Sequence, residues 1–226
     1  MLRMAVYPRL AYMLRSAHTE ETQRAAEDFD RAMRAQLLAW FQAEDTQTGP
    51  LFRYLTSAPL SLGGMGLVPM ALVAPAAYLG AWGLVLKEVE AILGMEIDPN
   101  TGGRVTLAQD SIRRATAAIG GGNMAWGWEE ARRGPVDQAQ KKLSAPRART
   151  CAQVALASMP RRDRAYVLDL QVKGAGRLWT ALPQDETCTL SNQDMLSNGR
   201  ARLGLEVVAE MPCACCGAMM SRNGDH

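Results

Sequence analysis

Aromatic residues are scarce in this chain of 226 residues, at 6% of positions, and it holds only two histidines, His18 and His226. A β-sandwich draws on aromatic and β-branched side chains for its pleated faces, so the first shortage argues against that class. Abundant alanine and 13 methionines favour helices instead. The expected fold class is mostly α. With one histidine near each end, a Ser-His-Asp or Cys-His nucleophilic site has little support.

Cysteine is sparse as well. Of five, Cys151 and Cys188 stand alone, while Cys213, Cys215 and Cys216 crowd together. An odd count so spaced is a poor disulfide framework and reads as intracellular, nuclear or cytoplasmic. The opening Met-Leu-Arg-Met-Ala-Val-Tyr-Pro-Arg has no apolar core, so no secretory signal is expected. Hydrophobic residues at 48% and charged residues at 21% exclude wholesale disorder. The length suffices for one large or two small domains.

Charge is missing altogether from Tyr54 to Leu86, and Leu67 to Leu86 is nearly all apolar. That run is long enough to span a bilayer. Gly63-Gly64-Met65-Gly66, Pro69, Pro75, Gly80 and Gly83 interrupt it, and Arg53 and Lys87 flank it without asymmetry. A buried core helix is the better expectation, and no membrane partner.

Where charge is present, it is unevenly spread. Residues 104–177 carry 14 Lys and Arg against 6 Asp and Glu, while the rest of the chain carries 11 against 17. Arg113-Arg114, Arg132-Arg133 and Lys141-Lys142 recur through this middle third, followed by Arg147, Arg149 and Arg161-Arg162. Such a spread can track a phosphate backbone or simply form a solvated helical face.

Periodicity places a helix over 3–15, with Val6, Leu10, Met13 and Leu14 on one side. A second follows Thr19 as N-cap and reaches Ala43, with Ala25, Phe29, Met33, Leu37, Trp40 and Phe41 at helical spacing. Asp28 and Asp30 fall on its charged side. The segment 59–67 holds three glycines between apolar residues, which predicts tight turns and close backbone approach. It lacks the spacing of a phosphate loop or a dinucleotide fingerprint. A buried helix is expected from Pro75 to Leu93, another over Thr106 to Ile119, then two over Val136–Leu143 and Arg147–Met159. The run from Arg161 fits helix or strand, and a last helix spans Ser191–Leu203.

Five blocks occur in order. They are Ala11-Tyr12-Met13-Leu14-Arg15; Ala25-Ala26-Glu27-Asp28-Phe29-Asp30; and Pro59-Leu60-Ser61-Leu62-Gly63-Gly64-Met65-Gly66-Leu67 with Ala76-Ala77-Tyr78-Leu79. Then come Gly174-Ala175-Gly176-Arg177-Leu178-Trp179-Thr180-Ala181-Leu182-Pro183 and Arg200-Ala201-Arg202-Leu203-Gly204-Leu205. This series resembles the region downstream of the polymerase core in reverse transcriptases of non-LTR retrotransposons, and it covers nearly the whole chain.

The resemblance implies a helical thumb, a linker and a Cys/His knuckle. The corresponding segments are a helical thumb-like region over 1–97, a linker with one helix over 98–134, a basic helical connector over 135–210 and a truncated knuckle over 211–226. The implied partners are RNA or DNA as template-primer and the remainder of the reverse transcriptase. Candidate phosphate contacts are Arg113, Arg114, Arg132, Arg133, Lys141 and Lys142.

Polymerase chemistry needs clustered carboxylates to hold two metal ions. No Asp-Asp pair occurs in the sequence, nor a Pro-Asp with a spaced acidic-x-Lys trio for a nuclease. Autonomous catalysis is not expected, and no catalytic residue is assigned.

Zinc takes four tetrahedral thiolate or imidazole ligands, and C-x2-C is the usual first half. Cys213 with Cys216 fits that spacing, with His226 as third ligand. In the resembled family a Cys-x-Cys-Gly pair precedes Gly-Asp-His, so Cys215 is an alternative ligand and the register stays open. No fourth ligand follows His226, and the expected zinc site is incomplete. Cys151, Cys188 and His18 are read as packing or surface residues. Two other readings compete: a degenerate retroelement remnant without autonomous function, and a small membrane protein.

Overall fold

The computed structural model describes residues 2–45, 49–97, 106–119, 139–172, 191–207, 211–213 and 215–220. Those residues are mostly helical, as expected. Their elements are α1 (Leu2–Met13), α2 (Thr19–Trp40), α3 (Pro50–Ser57), a 3-10 turn (Leu60–Leu62) and α4 (Met70–Leu93). After them come α5 (Thr106–Ile119), α6 (Ala139–Ala157), α7 (Arg161–Asp169), α8 (Asn192–Arg202), β1 (Met211–Pro212) and β2 (Met219–Met220). The two short strands pair antiparallel, Met211 opposite Met220.

The chain divides into two compact units, Met1–Ala32 with Val68–Cys151, and Met33–Leu67 with Ala152–His226. Each unit is assembled from separated stretches, so the expected consecutive segments 1–97 and 135–210 each contribute to both. Packing groups segments by the apolar surface they bury, and chain order need not follow it.

In the first unit the uncharged run is the core helix. Ala76, Tyr78, Leu79 and Leu86 of α4 are buried with Ile97, with Ile112, Ala115 and Ile119 of α5, and with Leu143 of α6. Each fully buried Leu or Ile there stabilises by about 1.5–3 kcal/mol. The helix is long and apolar enough to cross a membrane, but 61% of that window is buried within the protein.

Helix α4 starts at Met70 rather than at Pro75, which lies inside it. Asp30 of α2 explains the earlier start. Its carboxylate accepts the backbone N–H of Met70 at 2.7 Å and of Ala71 at 3.0 Å, satisfying two otherwise orphaned donors of the first turn. Asp30 is therefore a half-buried cap and not the solvent-facing acid its place in the sequence suggested. Burial pushes its carboxyl above the usual range, against the lowering effect of the two amide bonds. Tyr7 packs edge-on against Phe29 with ring centroids 5.5 Å apart. Burial, reinforced by the Asp30 charge, raises the Tyr7 hydroxyl as well.

Three other expectations need correction. In α1 and the residue after it, Leu14 is buried while Met13 is exposed; in α2, Ala26 is buried while Ala25 and Trp40 are exposed. In α1 and just after it the buried stripe runs through Tyr7, Ala11 and Leu14, one residue out of phase, a rotation of about 100°; in α2 and just after it Met33, Leu37 and Phe41 are buried as expected. Thr19 lies inside α2, whose first bonds run from Glu21 and Thr22 to the His18 carbonyl. The two helices expected around 136–159 are one helix, α6, which continues through Pro146. A proline inside a helix removes one rung of the ladder, and tertiary burial on both sides can offset that loss. Ala139, Leu143, Ala148 and Ala152 supply the burial here.

In the second unit Phe52, Tyr54, Leu55, Met159, Val167, Leu203 and Leu205 are buried. The segment from Arg161 is a helix, with Pro160 as N-cap and Asp163 in its first turn. Ser191 caps α8, its hydroxyl oxygen accepting the N–H of Asp194 at 3.1 Å.

Candidate nucleic-acid interface and metal centre

The structure separates the candidate phosphate contacts into two classes. Arg113 pairs with Asp110 on its own helix at 2.9 Å, and Arg114 pairs with Glu20 of α2. Lys141 and Lys142, in contrast, are exposed on α6 with no carboxylate partner among the described residues. A cation already paired must lose or share its partner to meet a phosphate; an open one need not. Arg132 and Arg133 lie outside the described residues.

Near Arg114 the junction between α1 and α2 carries a polar cluster that the sequence did not signal. His18 Nδ1 and the Ser111 hydroxyl share a hydrogen bond at 2.7 Å, and the Tyr78 hydroxyl lies 3.3 Å from the same nitrogen. Ser111 is buried, at 5% exposure. The cluster satisfies buried polar groups of the first unit and gives no support to a nucleophilic site.

The glycine-rich block of the second unit is held from three sides. The Leu62 carbonyl accepts from the Tyr54 hydroxyl at 2.9 Å and from Gln171 at 3.4 Å, and the Gly63 carbonyl accepts from Arg202 at 3.1 Å. Gly63 and Gly66 adopt φ of 84° and 74°, which side chains rarely allow. Arg200 reaches across to the α2 end, donating to the Phe41 carbonyl at 2.5 Å and to Gln42 at 2.9 Å. A Cβ on Gly199 would fall 2.1 Å from the Phe41 ring, so that residue must be bare. The Leu-Gly-Gly-Met-Gly-Leu and Arg-Leu-Gly-Leu blocks thus bond to each other. The block over 174–183 lies outside the described residues.

A cleft of about 670 Å³ in the same unit is lined by Leu51, Arg162, Asp163, Tyr166, Asp169 and Val207, among others. One cation beside two carboxylates does not make the uniformly positive wall that a phosphate backbone needs.

The cysteine cluster forms a tight turn closed by β1 and β2. The Gly217 amide donates to the Cys213 carbonyl at 2.9 Å, the Cys213 amide donates to Ala218 at 2.8 Å, and Gly217 has φ of 71°. Backbone N–H groups of Cys215 and Cys216 point at the Cys213 sulfur and hold its thiol below the ordinary range, by stabilising the thiolate. A thiolate is the form a metal binds. Among the described residues no group of three or more His, Cys, Asp or Glu is placed to hold a metal ion. The turn keeps Cys213 and Cys216 at C-x2-C spacing, with Cys215 exposed between them. His226 and Cys188 lie outside the described residues; Cys151 is an exposed thiol on α6. No protein family, curated protein or solved structure matches this chain.

Proposed function

We propose that this chain is a nucleic-acid-binding part of a non-LTR retrotransposon reverse transcriptase, taken from the thumb, linker and knuckle region and lacking the catalytic palm. The observation that carries the reading is the seating of Arg202 on the Gly63 carbonyl. Two blocks of the motif series, well over a hundred residues apart, are one bonded structure, and this supports treating the series as a functional region. The open Lys141 and Lys142 support a role in gripping template-primer, and the charge excess over 104–177 supplies the long-range attraction.

Anisotropy titration of the full chain with labelled RNA hairpin, RNA–DNA hybrid and duplex DNA tests this. Binding is expected to weaken steeply with salt, with a log–log slope of about −2 to −5 for two to five phosphates neutralised. Absent or salt-independent binding overturns the reading.

The cysteine turn is the zinc half-site of that reading, with Cys213 and Cys216 as ligands. Zinc there supplies folding free energy by joining the turn to further donors. Competition with a chromophoric chelator is expected to show zinc affinity falling at least tenfold in Cys213→Ser and Cys216→Ser, and little in Cys215→Ser. An equal loss in Cys215→Ser would reject this register.

A further inference from the structure

We propose that Arg15, a residue outside the basic middle third, is a phosphate-contacting residue of the nucleic-acid surface, held in place by Gln140; the proposal rests on the nucleic-acid reading above. Arg15 follows α1 and is exposed. Its Nε and one terminal nitrogen donate to the Gln140 Oε1 at 3.1 and 2.8 Å. Two bonds to one oxygen fix the guanidinium plane, yet the amide is neutral, so the full positive charge remains. Of five N–H donors, three stay available for a phosphodiester, whose paired oxygens match the fork.

Gln140 is itself anchored. Its backbone nitrogen would lie 3.1 Å from a Cβ built on Gly80, so at this point α6 rests directly on the backbone of the core helix α4. Lys141 and Lys142 follow Gln140 immediately and are exposed without carboxylate partners among the described residues. No described carboxylate pairs with Arg15 either. Arg113 and Arg114, by contrast, are each paired with a carboxylate, Asp110 and Glu20. An oriented guanidinium that no described carboxylate neutralises is what a sugar-phosphate backbone selects.

The test uses the full chain and a labelled RNA–DNA hybrid. Arg15→Gln is expected to weaken binding about tenfold at low salt and to reduce the salt slope by about 1. Gln140→Glu keeps every cation but gives Arg15 a charged partner, and the same loss is expected from it. Thermal melting shows that each variant is folded, and Arg15→Lys, which retains charge without the fork, is expected to recover part of the affinity. If Arg15→Gln and Gln140→Glu bind like the parent while Lys141→Gln weakens binding, the Arg15 assignment fails and the nucleic-acid reading survives. If the parent itself shows no salt-dependent binding, both fail.

Discussion

Gly64→Ala is expected to be among the most damaging single substitutions in the second unit, costing about 3–5 kcal/mol. A Cβ at this position would lie 2.0 Å from the Ala58 carbonyl oxygen and 2.6 Å from its carbon. These are backbone atoms of the residue that caps α3, whose N–H bonds to the Tyr54 carbonyl and whose carbonyl accepts from Gly66. Neither side of the clash can rotate away, so relief requires pulling the glycine-rich block off α3. That movement would also break the Arg202 bond to Gly63 and the Tyr54 bond to Leu62. Replacing glycine by alanine narrows the unfolded ensemble and returns only about 0.4–1 kcal/mol. For a chain of this size the net loss lowers Tm by on the order of 10 °C. Gly49→Ala is the matched control. Gly49 has φ of −73° and open space where a Cβ would sit, so a change under about 0.5 kcal/mol is expected. Equal melting temperatures for the two variants would refute the steric account.

Asp30→Ala is expected to cost about 2 kcal/mol, because Met70 and Ala71 lose their acceptor at the buried start of α4. Asp30→Asn keeps one acceptor oxygen and should lose about half as much. The pH dependence separates the two contributions. Burial raises the Asp30 carboxyl above its unfolded value. A raised pKa means the folded state holds the proton more tightly, so this contribution is present at low pH and is lost as pH rises through the folded pKa. Denaturant midpoints from about pH 7 to about pH 4 should therefore show the parent gaining stability relative to Asp30→Asn as pH falls. A parent that loses ground to Asp30→Asn over that range would show that the amide bonds, and not burial, dominate.

Much of the helical framework was legible because it rests on local rules. The α5 boundaries, Thr106 and Ile119, follow from a turn signal, a polar start and a glycine run, all within a few residues of the helix. Burial of 76–79 follows from an apolar run too long and too uncharged to face water. Prolines misled the reading twice. Pro75 and Pro146 look like boundaries locally, but both sit inside helices whose flanks are buried, and burial outweighs one missing hydrogen bond. The candidate interface was legible only as composition. Nothing in the spacing of Arg113, Arg114, Lys141 and Lys142 tells which ones have a carboxylate neighbour, since Glu20 lies far away in sequence from Arg114. Arg15 was invisible for the same reason: its partner Gln140 comes 125 residues later.

The sequence by itself determined that the described residues are mostly helical, that most of the run 67–83 is buried, that the glycines of 63–66 mark tight turns, and that Cys213 and Cys216 stand at C-x2-C spacing. Each of these is set by the covalent order of a few neighbouring residues, through backbone sterics, hydrophobic periodicity or ligand reach. The tertiary structure alone decided the roles of the charged residues. Asp30 became a helix cap, Arg202 a brace for the glycine-rich block, Arg114 half of an ion pair, and Arg15 a guanidinium held by the neutral amide of Gln140. A charge takes its function from what lies within a few ångströms, and that is fixed by which distant segments share a core.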